Sequence, residues 1–149
     1  MDGTTPEGTI RKVAEELDRA IEEMNSEAIL SRFSEECEIE LLGTRLAGKE
    51  GVVKWAAWMN SHLAEVNVSP VTVMVEGNTL FEEFVLRAKL HTGAQIESKQ
   101  AEVLLFENSR IKNLRLYFDR IDFADSLVRG FVNRSIVKRL IRKSLEGLS

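Results

Sequence analysis

The chain has 149 residues, of which 44% are hydrophobic and 30% charged, an ordinary composition that predicts one domain with a sizeable core. Its single cysteine, Cys37, excludes an internal disulfide, and neither a signal-peptide pattern nor an apolar run of membrane-spanning length is present. The sequence therefore predicts a cytoplasmic protein whose fold does not depend on an oxidising compartment.

The formal net charge of −4 is unevenly distributed along the chain. Residues 129–149 hold six Lys or Arg and one acid, whereas the other 128 residues hold 14 bases and 23 acids. We therefore expect an acidic body followed by a basic terminal segment.

The first half of the chain predicts helices around two short strands. Residues 6–24 carry apolar side chains at intervals of three and four, which is typical of an amphipathic helix. A short second helix is predicted over residues 26–33, with Ser26 as its cap. Residues 37–48 predict a strand, a turn near Gly43 and a short return strand, and residues 49–63 predict a third helix.

The second half of the chain changes to the alternating pattern of β-strands. Turn signals at Gly77-Asn78, Thr92-Gly93 and Asn108-Ser109 separate three or four long strands, which predicts an antiparallel meander. Residues 122–148 return to a helical pattern, with a break near Gly130. Helices packed on one face of a curved antiparallel sheet would form an α+β domain.

With this order of elements the chain resembles the nuclear transport factor 2-like or SnoaL-like superfamily, which includes ketosteroid isomerases and limonene-epoxide hydrolases. The segment "LLGTRLAGKEGVVKW" is similar to the part of the family where a glycine opens the third helix, and "RIKNLRLYFDRIDF" is similar to its last strand. The resemblance covers roughly residues 8–126. It implies a cone-shaped α+β fold, with helices on the concave face of a curved sheet, a cavity between them, and a homodimer.

On this basis residues 1–128 are predicted to form the cone-fold domain. Residues 129–149 are predicted to form a basic amphipathic helix docked on the domain or on a partner subunit. The less favoured alternative is contact with an anionic membrane surface, which basic amphipathic helices can make. Nucleic-acid binding is not expected, because the body is acidic and no aromatic residues are interleaved with the bases.

The predicted last strand supplies two candidate catalytic residues, Asp119 and Tyr117. In the enzymes that this chain resembles, the aspartate ending this strand acts as general acid or base, and a phenol can donate to a developing oxyanion. A structural alternative exists for both. Asp119 would pair with Arg115 or Arg120 or cap the next helix, and Tyr117 would bury its ring and expose its hydroxyl.

Arg87 is the third catalytic candidate. Epoxide-hydrolase-like members carry an Arg-x-Asp pair at about this place, in which the arginine orients two carboxylates. Here the sequence reads Arg87-Ala88-Lys89, so the second acid is missing, which argues against epoxide opening by the usual pair. The alternative is an exposed cross-strand ion pair with an acid such as Glu102.

Glu38 and Glu40 are candidate substrate-binding residues on one face of the first predicted strand. Family members place water-positioning residues or a general-base aspartate on this strand. Matching on Gly48 puts Ile39 nearest the base position, which argues against the isomerase reaction, and a slip of one residue would bring in either glutamate. The alternative is a pair of solvated glutamates.

An apolar ligand would contact large side chains of the helices and strands, although core packing explains the same residues. The candidates are Leu17, Ile21, Phe33, Trp55, Trp58, Met59, Phe84, Leu104 and Phe106.

The sequence predicts no metal site and no cofactor. His62 and His91 lie 29 residues apart, with no further ligand at metal-binding spacing, and both are expected on the surface. Nucleotide-binding and nucleophile motifs are absent from the sequence, and Cys37 is expected to be a small buried hydrophobe.

Two functional hypotheses follow. The first is a cavity enzyme that performs cofactor-independent acid–base isomerisation or hydrolysis on a small apolar molecule, with Asp119 as acid or base and Arg87 or Tyr117 stabilising charge. The second is a non-catalytic ligand-binding or protein-interaction module of the same fold. The missing second acid favours the second hypothesis.

Overall fold

The structure is a computed structural model that describes residues 3–127 and 131–148. The predicted boundary at residues 128–129 and the predicted break at Gly130 lie outside the described residues. In chain order the elements are α1 (Glu7–Glu22), α2 (Ser26–Ser31), β1 (Phe33–Leu41), β2 (Thr44–Ala47), α3 (Gly48–His62), β3 (Leu63–Glu76), β4 (Thr79–Leu90), β5 (Gln95–Glu107), β6 (Arg110–Tyr117), α4 (Ile121–Leu127) and α5 (Phe131–Ser144).

The six strands form one mixed sheet in the order β2-β1-β6-β5-β4-β3. The predicted antiparallel meander is confirmed for β3 to β6, with turns at all three predicted positions. One detail differs, because β1 and β6 pair in parallel rather than antiparallel. These strands are far apart in the chain, so no tight turn forces their directions to oppose.

Bulges curve the sheet. The register shifts between Pro70 and Thr72 on the edge strand β3, and again between Ile111 and Asn113 of β6, which face Phe106 and Leu105 of β5. An extra residue in one strand increases its twist and bends it, so these shifts curve the sheet. Pro70 is tolerated because it lies at a bulge on an edge strand, as the sequence predicted.

The inner face of the sheet, defined here as the face covered by α1 and α3, carries the core. Residues of α1 at the predicted spacing are buried, and they pack with inner-face residues such as Leu80, Leu104 and Leu114, which are 0% exposed. Full burial of each such side chain stabilises the fold by about 1.5–3 kcal/mol. The predicted class, α+β with helices on one face of a curved sheet, is confirmed.

Two local features set the positions of the helices. The cap of α2 is Asn25, one residue before the predicted Ser26, and its side chain accepts a hydrogen bond from the N–H of Ala28 at 3.1 Å. Gly51 lets α3 approach β2 closely, because a Cβ there would lie 2.7 Å from the carbonyl carbon of Leu46. This close approach holds α3 over the inner face of the sheet.

The C-terminal helices extend beyond this layer. α4 contacts β5, and α5 contacts α4. Several apolar side chains of α5 are exposed, including Val132 and Leu140. Its docking on the domain or on a second subunit therefore stays a prediction. Within residues 3–127 and 131–148, no helix has the length and apolar content needed to span a bilayer.

Candidate functional site

An apolar cavity of about 280 Å³ lies between α3 and the inner face of the sheet. α3 lines it with four residues of its inward side, and β4 and β6 add alternating inner-face leucines. The lining residues are Leu42, Trp55, Trp58, Met59, His62, Leu63, Leu86, Leu90, Gln100, Leu116, Phe118, Arg120 and Phe123. Met59 and Leu116 also pack against both groups of core residues, so the cavity separates two parts of one core.

A chain of polar side chains begins at Gln100 in the cavity lining. Gln100 donates from Nε2 to Oγ of Ser98 at 3.2 Å, and Ser98 donates to Oδ2 of Asp122 at 2.7 Å. Ser98 and Gln100 lie on the inner face of β5 and are almost fully buried, and Asp122 belongs to the first turn of α4. These bonds fix α4 on β5, so that Phe123 of α4 covers the cavity.

Two basic side chains contribute to the cavity lining. His62 makes an edge-to-face contact with Trp58, and its ring centroid lies 5.7 Å from that of the indole. Arg120 donates to the backbone oxygen of Leu42 at 2.9 Å. None of the lining residues within the described part of the chain carries a carboxylate. A carboxyl group that takes part in a reaction in this cavity must therefore belong to a residue behind the lining.

Three carboxyl groups cluster on the same face of the sheet under α1. Glu82 of β4 and Glu102 of β5 are directly paired across the two strands, and Asp18 of α1 covers them. Carboxylate oxygens from all three lie within 4.8 Å of one another. Glu82 is 3% and Glu102 4% exposed, and one oxygen of each has no hydrogen-bond partner.

This carboxyl cluster holds protons at neutral pH. Burial raises the pKa of Asp18 to about 8, with the charge of Glu82 as the next cause, and burial raises the pKa of Glu102 well above its usual range. The pKa of Glu82 is also raised by burial, but hydrogen bonds from Glu102 and Asp18 oppose the shift. The arrangement favours protonated Asp18 and Glu102 as donors to Glu82.

Oxygen donors are the ligands that Mg²⁺ and Ca²⁺ prefer, so this cluster is the one group of described residues with a donor set for a hard cation. Shared protons already reduce its charge, and no metal is needed to account for its burial.

The carboxyl cluster and the cavity are adjacent in the sheet. Glu102 pairs with Leu116 across β5 and β6, and Leu116 lines the cavity. The next inner residue of β5 is Gln100, which also lines it. Glu102 of the carboxyl cluster therefore lies directly beside the part of the cavity wall that Leu116 and Gln100 form.

The predicted catalytic residues of the last strand lie elsewhere. Tyr117 is 56% exposed, because residues 113, 115 and 117 lie on the outer face while Leu114 and Leu116 point inward. Asp119 is exposed, and its Oδ1 accepts a hydrogen bond from the N–H of Ile121 at 2.9 Å, at the start of α4. This contact matches the capping alternative, and the catalytic roles of both residues stay predictions based on the resemblance.

Arg87 is also on the outer face, at a shallow depression away from the apolar cavity. Its Nε lies 3.1 Å from Oε2 of Glu97, its direct partner across β4 and β5, and both side chains are more than half exposed. The predicted alternative of a cross-strand pair fits, but Glu102 is the wrong partner because it lies on the inner face. A catalytic role for Arg87 stays a prediction.

The other predicted site residues divide between cavity, core and outer surface. Trp55 and Met59 line the cavity, whereas Phe84 and Phe106 are buried core residues. Glu38 and Glu40 lie 3.7 and 3.9 Å from the guanidinium of Arg45 on β2.

Ile39, between the two glutamates, is 0% exposed in the core. Cys37 is buried as predicted, and burial raises the pKa of its thiol. His62 and His91 are exposed as predicted, although His62 also lines the cavity.

Sequence reasoning missed the carboxyl cluster and the polar chain through Ser98. A signal existed in the alternation of β4, where Glu82 stands between the inward-facing Leu80 and Phe84. In β5, Gln100 and Glu102 likewise precede the inward Leu104 in the same phase.

Comparison with solved structures shows the same fold in several bacterial proteins. An LEH-like epoxide hydrolase from M. tuberculosis aligns with a TM-score of 0.70 at 18% identity, covering 88% of this chain and 98% of the other. A Catenulispora acidiphila protein with a ketosteroid isomerase-like fold, solved with trimethylamine, gives a TM-score of 0.69 at 18% identity over 80% and 90%.

A nuclear transport factor 2-like protein of unknown function from Burkholderia pseudomallei gives a TM-score of 0.68 at 18% identity, covering 74% of this chain and 91% of the other. At these identities the likeness establishes the fold alone. Among curated proteins none matches the chain. The model of the SnoaL-like domain, however, matches residues 14–114, more than half of the sequence. The chain therefore belongs to the SnoaL-like domain family.

Proposed function

We propose that this protein binds a small apolar molecule in the cavity between α3 and the inner face of β4 to β6. The observation that carries the proposal is the lining itself, which is apolar except for Gln100, His62 and Arg120. Ligand sites are concave and mostly apolar, with a few polar groups that orient the ligand. A volume of about 280 Å³ is near the lower end of the usual range, so it suits a small ligand.

Ligand binding can be tested with tryptophan fluorescence, because both tryptophans of the chain, Trp55 and Trp58, line the cavity. Titration with an apolar fluorophore such as anilinonaphthalene sulfonate should quench both and give energy transfer. Leu116→Phe adds volume inside the cavity and should weaken binding at least tenfold. Leu105→Phe, on the outer face of the sheet, is the matched control and should leave the binding affinity unchanged. Equal affinities for the two variants would contradict binding at this cavity.

A second candidate function is cofactor-independent acid–base catalysis in the same cavity. The observation that favours it is the protonated carboxyl group of Glu102, which lies beside the wall residue Leu116 and forms a cluster with Asp18. A carboxyl group whose pKa lies near neutrality can donate or accept a proton at physiological pH. Epoxide hydrolysis is the reaction named for the M. tuberculosis neighbour, whereas for the Catenulispora acidiphila neighbour only a ketosteroid isomerase-like fold is named.

The two functions differ in what Glu102→Gln does. For a binding module, the variant should bind the fluorophore as wild type does, and neither protein should convert a panel of epoxides and unsaturated ketones. For an enzyme, wild type should turn over a member of the panel, and Glu102→Gln should lower kcat at least a hundredfold with KM little changed. Turnover unaffected by Glu102→Gln would exclude the cluster from the reaction.

We also propose a cytoplasmic homodimer. The lone cysteine is buried and no disulfide is needed, which suits a reducing compartment. The outer face of the sheet exposes Met74, Leu105 and Tyr117, which a second copy could cover. Light scattering after size-exclusion chromatography would measure the mass, and a monomer at micromolar concentration would contradict the dimer.

A further inference from the structure

The helix α5 separates its apolar and basic side chains by position. Successive residues of an α-helix are rotated by about 100°. This rotation puts five aliphatic residues on one half of the surface: Val132, Ile136, Val137, Leu140 and Ile141. On the other half it puts Arg134, Lys138 and Arg142, while Arg139 lies at the border and Lys143 falls between Val132 and Ile136.

The aliphatic half of α5 is only partly covered. Val137 and Ile141 are half-buried, and α5 contacts α4. Val132 is 70%, Ile136 52% and Leu140 60% exposed. Past the helix end, Leu145 and Leu148 are also exposed. Exposed apolar surface of this extent, in a helix whose opposite side carries Arg134, Lys138 and Arg142, marks a binding face.

The charge of residues 131–148 indicates which kind of surface the helix binds. Residues 131–148 contain five Lys or Arg and one acid, Glu146, and within α5 itself all charged residues are basic. The rest of the chain is acidic, so an anionic surface would repel the body and attract this helix alone. Bases on the polar half and at the border of an aliphatic face allow a helix to lie flat with its charges among anionic headgroups.

We infer that α5 binds an anionic lipid surface, with Val132, Ile136 and Leu140 in the outer acyl region and the five bases among the headgroups. α5 contacts α4, and Phe123 of α4 lines the cavity. A bound helix would thus hold the cavity near the lipid, where small apolar molecules accumulate. The inference rests on α5 and does not require that the cavity binds a ligand.

The test is co-sedimentation of the full chain with vesicles of phosphatidylcholine alone or with 30% phosphatidylserine, at low and at physiological salt. We expect binding to the anionic vesicles only, weaker at the higher salt. Ile136→Asp with Leu140→Asp should lower the partition coefficient at least tenfold, and so should Lys138→Glu with Arg142→Glu.

A matched control keeps the inference falsifiable. Lys54→Glu with Lys99→Glu makes the same charge change on exposed side chains outside α5 and should leave the partition coefficient within about threefold. Binding lost equally in this control, or absent from anionic vesicles at low salt, would overturn the inference. Light scattering on the Ile136→Asp, Leu140→Asp protein tests whether the aliphatic half of α5 binds a second copy of the chain. If wild type bound no vesicles and the double variant had a lower mass than wild type, the face would instead be assigned to contact with a second copy of the chain.

Discussion

Replacing Asp18 by asparagine removes one ionisable member of the carboxyl cluster and keeps a side chain of nearly the same shape. Burial, and next the charge of Glu82, raise the pKa of Asp18 from 3.8 to about 8 in the folded protein. Between these pH values the folded chain binds more protons than the unfolded chain, so the free energy of unfolding falls as the pH rises. Asp18→Asn should therefore stabilise the protein, most strongly at alkaline pH.

The size of the effect follows from the pKa difference. One pKa unit corresponds to about 1.36 kcal/mol. The shift of Asp18 from 3.8 to about 8 then sets an upper limit of about 6 kcal/mol on its penalty at pH 9, and of about 2 kcal/mol at pH 5. Because Glu82 and Glu102 share protons with Asp18, part of this penalty belongs to them and is not removed by replacing Asp18. We expect Asp18→Asn to gain about 3 kcal/mol at pH 9 and about 1 kcal/mol at pH 5.

Urea unfolding followed by tryptophan fluorescence at pH 5, 7 and 9 measures this gain. Glu23→Gln neutralises an exposed acid at the end of the same helix and is the control. It should change the free energy of unfolding by less than about 0.5 kcal/mol at every pH. An Asp18→Asn protein with the pH dependence of wild type, or one less stable than wild type at pH 9, would refute the reasoning.

Three further experiments test the fold and the predicted site. Gly51→Ala should cost about 1–3 kcal/mol in urea unfolding, because the added Cβ meets the β2 backbone at 2.7 Å, whereas Gly8→Ala, with open space, should gain about 0.5–1 kcal/mol. Asp119→Ala should lose about 1 kcal/mol of capping, measured in the same way, and Asp119→Asn should retain most of it. A double-mutant cycle on Arg87 and Glu97 should give a coupling below about 1 kcal/mol that vanishes in high salt.

Each of these expectations has a contrary outcome. Equal effects of alanine at the two glycines would show that α3 can move away from β2. An Asp119→Asn protein as unstable as Asp119→Ala would contradict the cap. If Asp119→Asn instead kept its stability and lost a measured activity, the acid–base role predicted from the resemblance would gain support. A coupling above about 2 kcal/mol would be inconsistent with an exposed pair of Arg87 and Glu97.

The helices and the meander could be predicted from sequence because their causes are local. The spacing of Ile10, Val13 and Leu17 specifies which side of α1 is buried, and glycine and asparagine mark the turns. The parallel pairing of β1 with β6 has no local cause. It depends on the position at which the whole meander brings β6 beside β1, and no short segment of the sequence encodes that position.

The candidate site was harder to predict because alternating polar and apolar residues identify the two faces of a strand but do not show which face points toward the core. In β6, Arg115 and Tyr117 alternate with Leu114 and Leu116. Chemistry needs polar groups, so the sequence favours the polar set as site residues, yet Leu114 lies in the core and Leu116 lines the cavity.

The carboxyl cluster escaped prediction for the opposite reason. Buried acids are rare, so Glu82 and Glu102 read as surface residues. Only the strand register brings them together, and only the packing of α1 brings Asp18 over them.

The hydrogen bond from Ser98 to Asp122 has a consequence for the rate at which the cavity can exchange its contents. α4 has seven residues, too few for a helix to persist in water without tertiary contacts. It stays folded because it is docked on β5, and Phe123 covers the cavity only while this docking lasts. Opening the cavity on this side requires α4 to lose its hydrogen bond to Ser98 and the contact between Phe123 and Phe118. Exchange would then proceed at the frequency of a local unfolding event, and ligand residence time would depend on the stability of α4 as much as on the fit of the cavity.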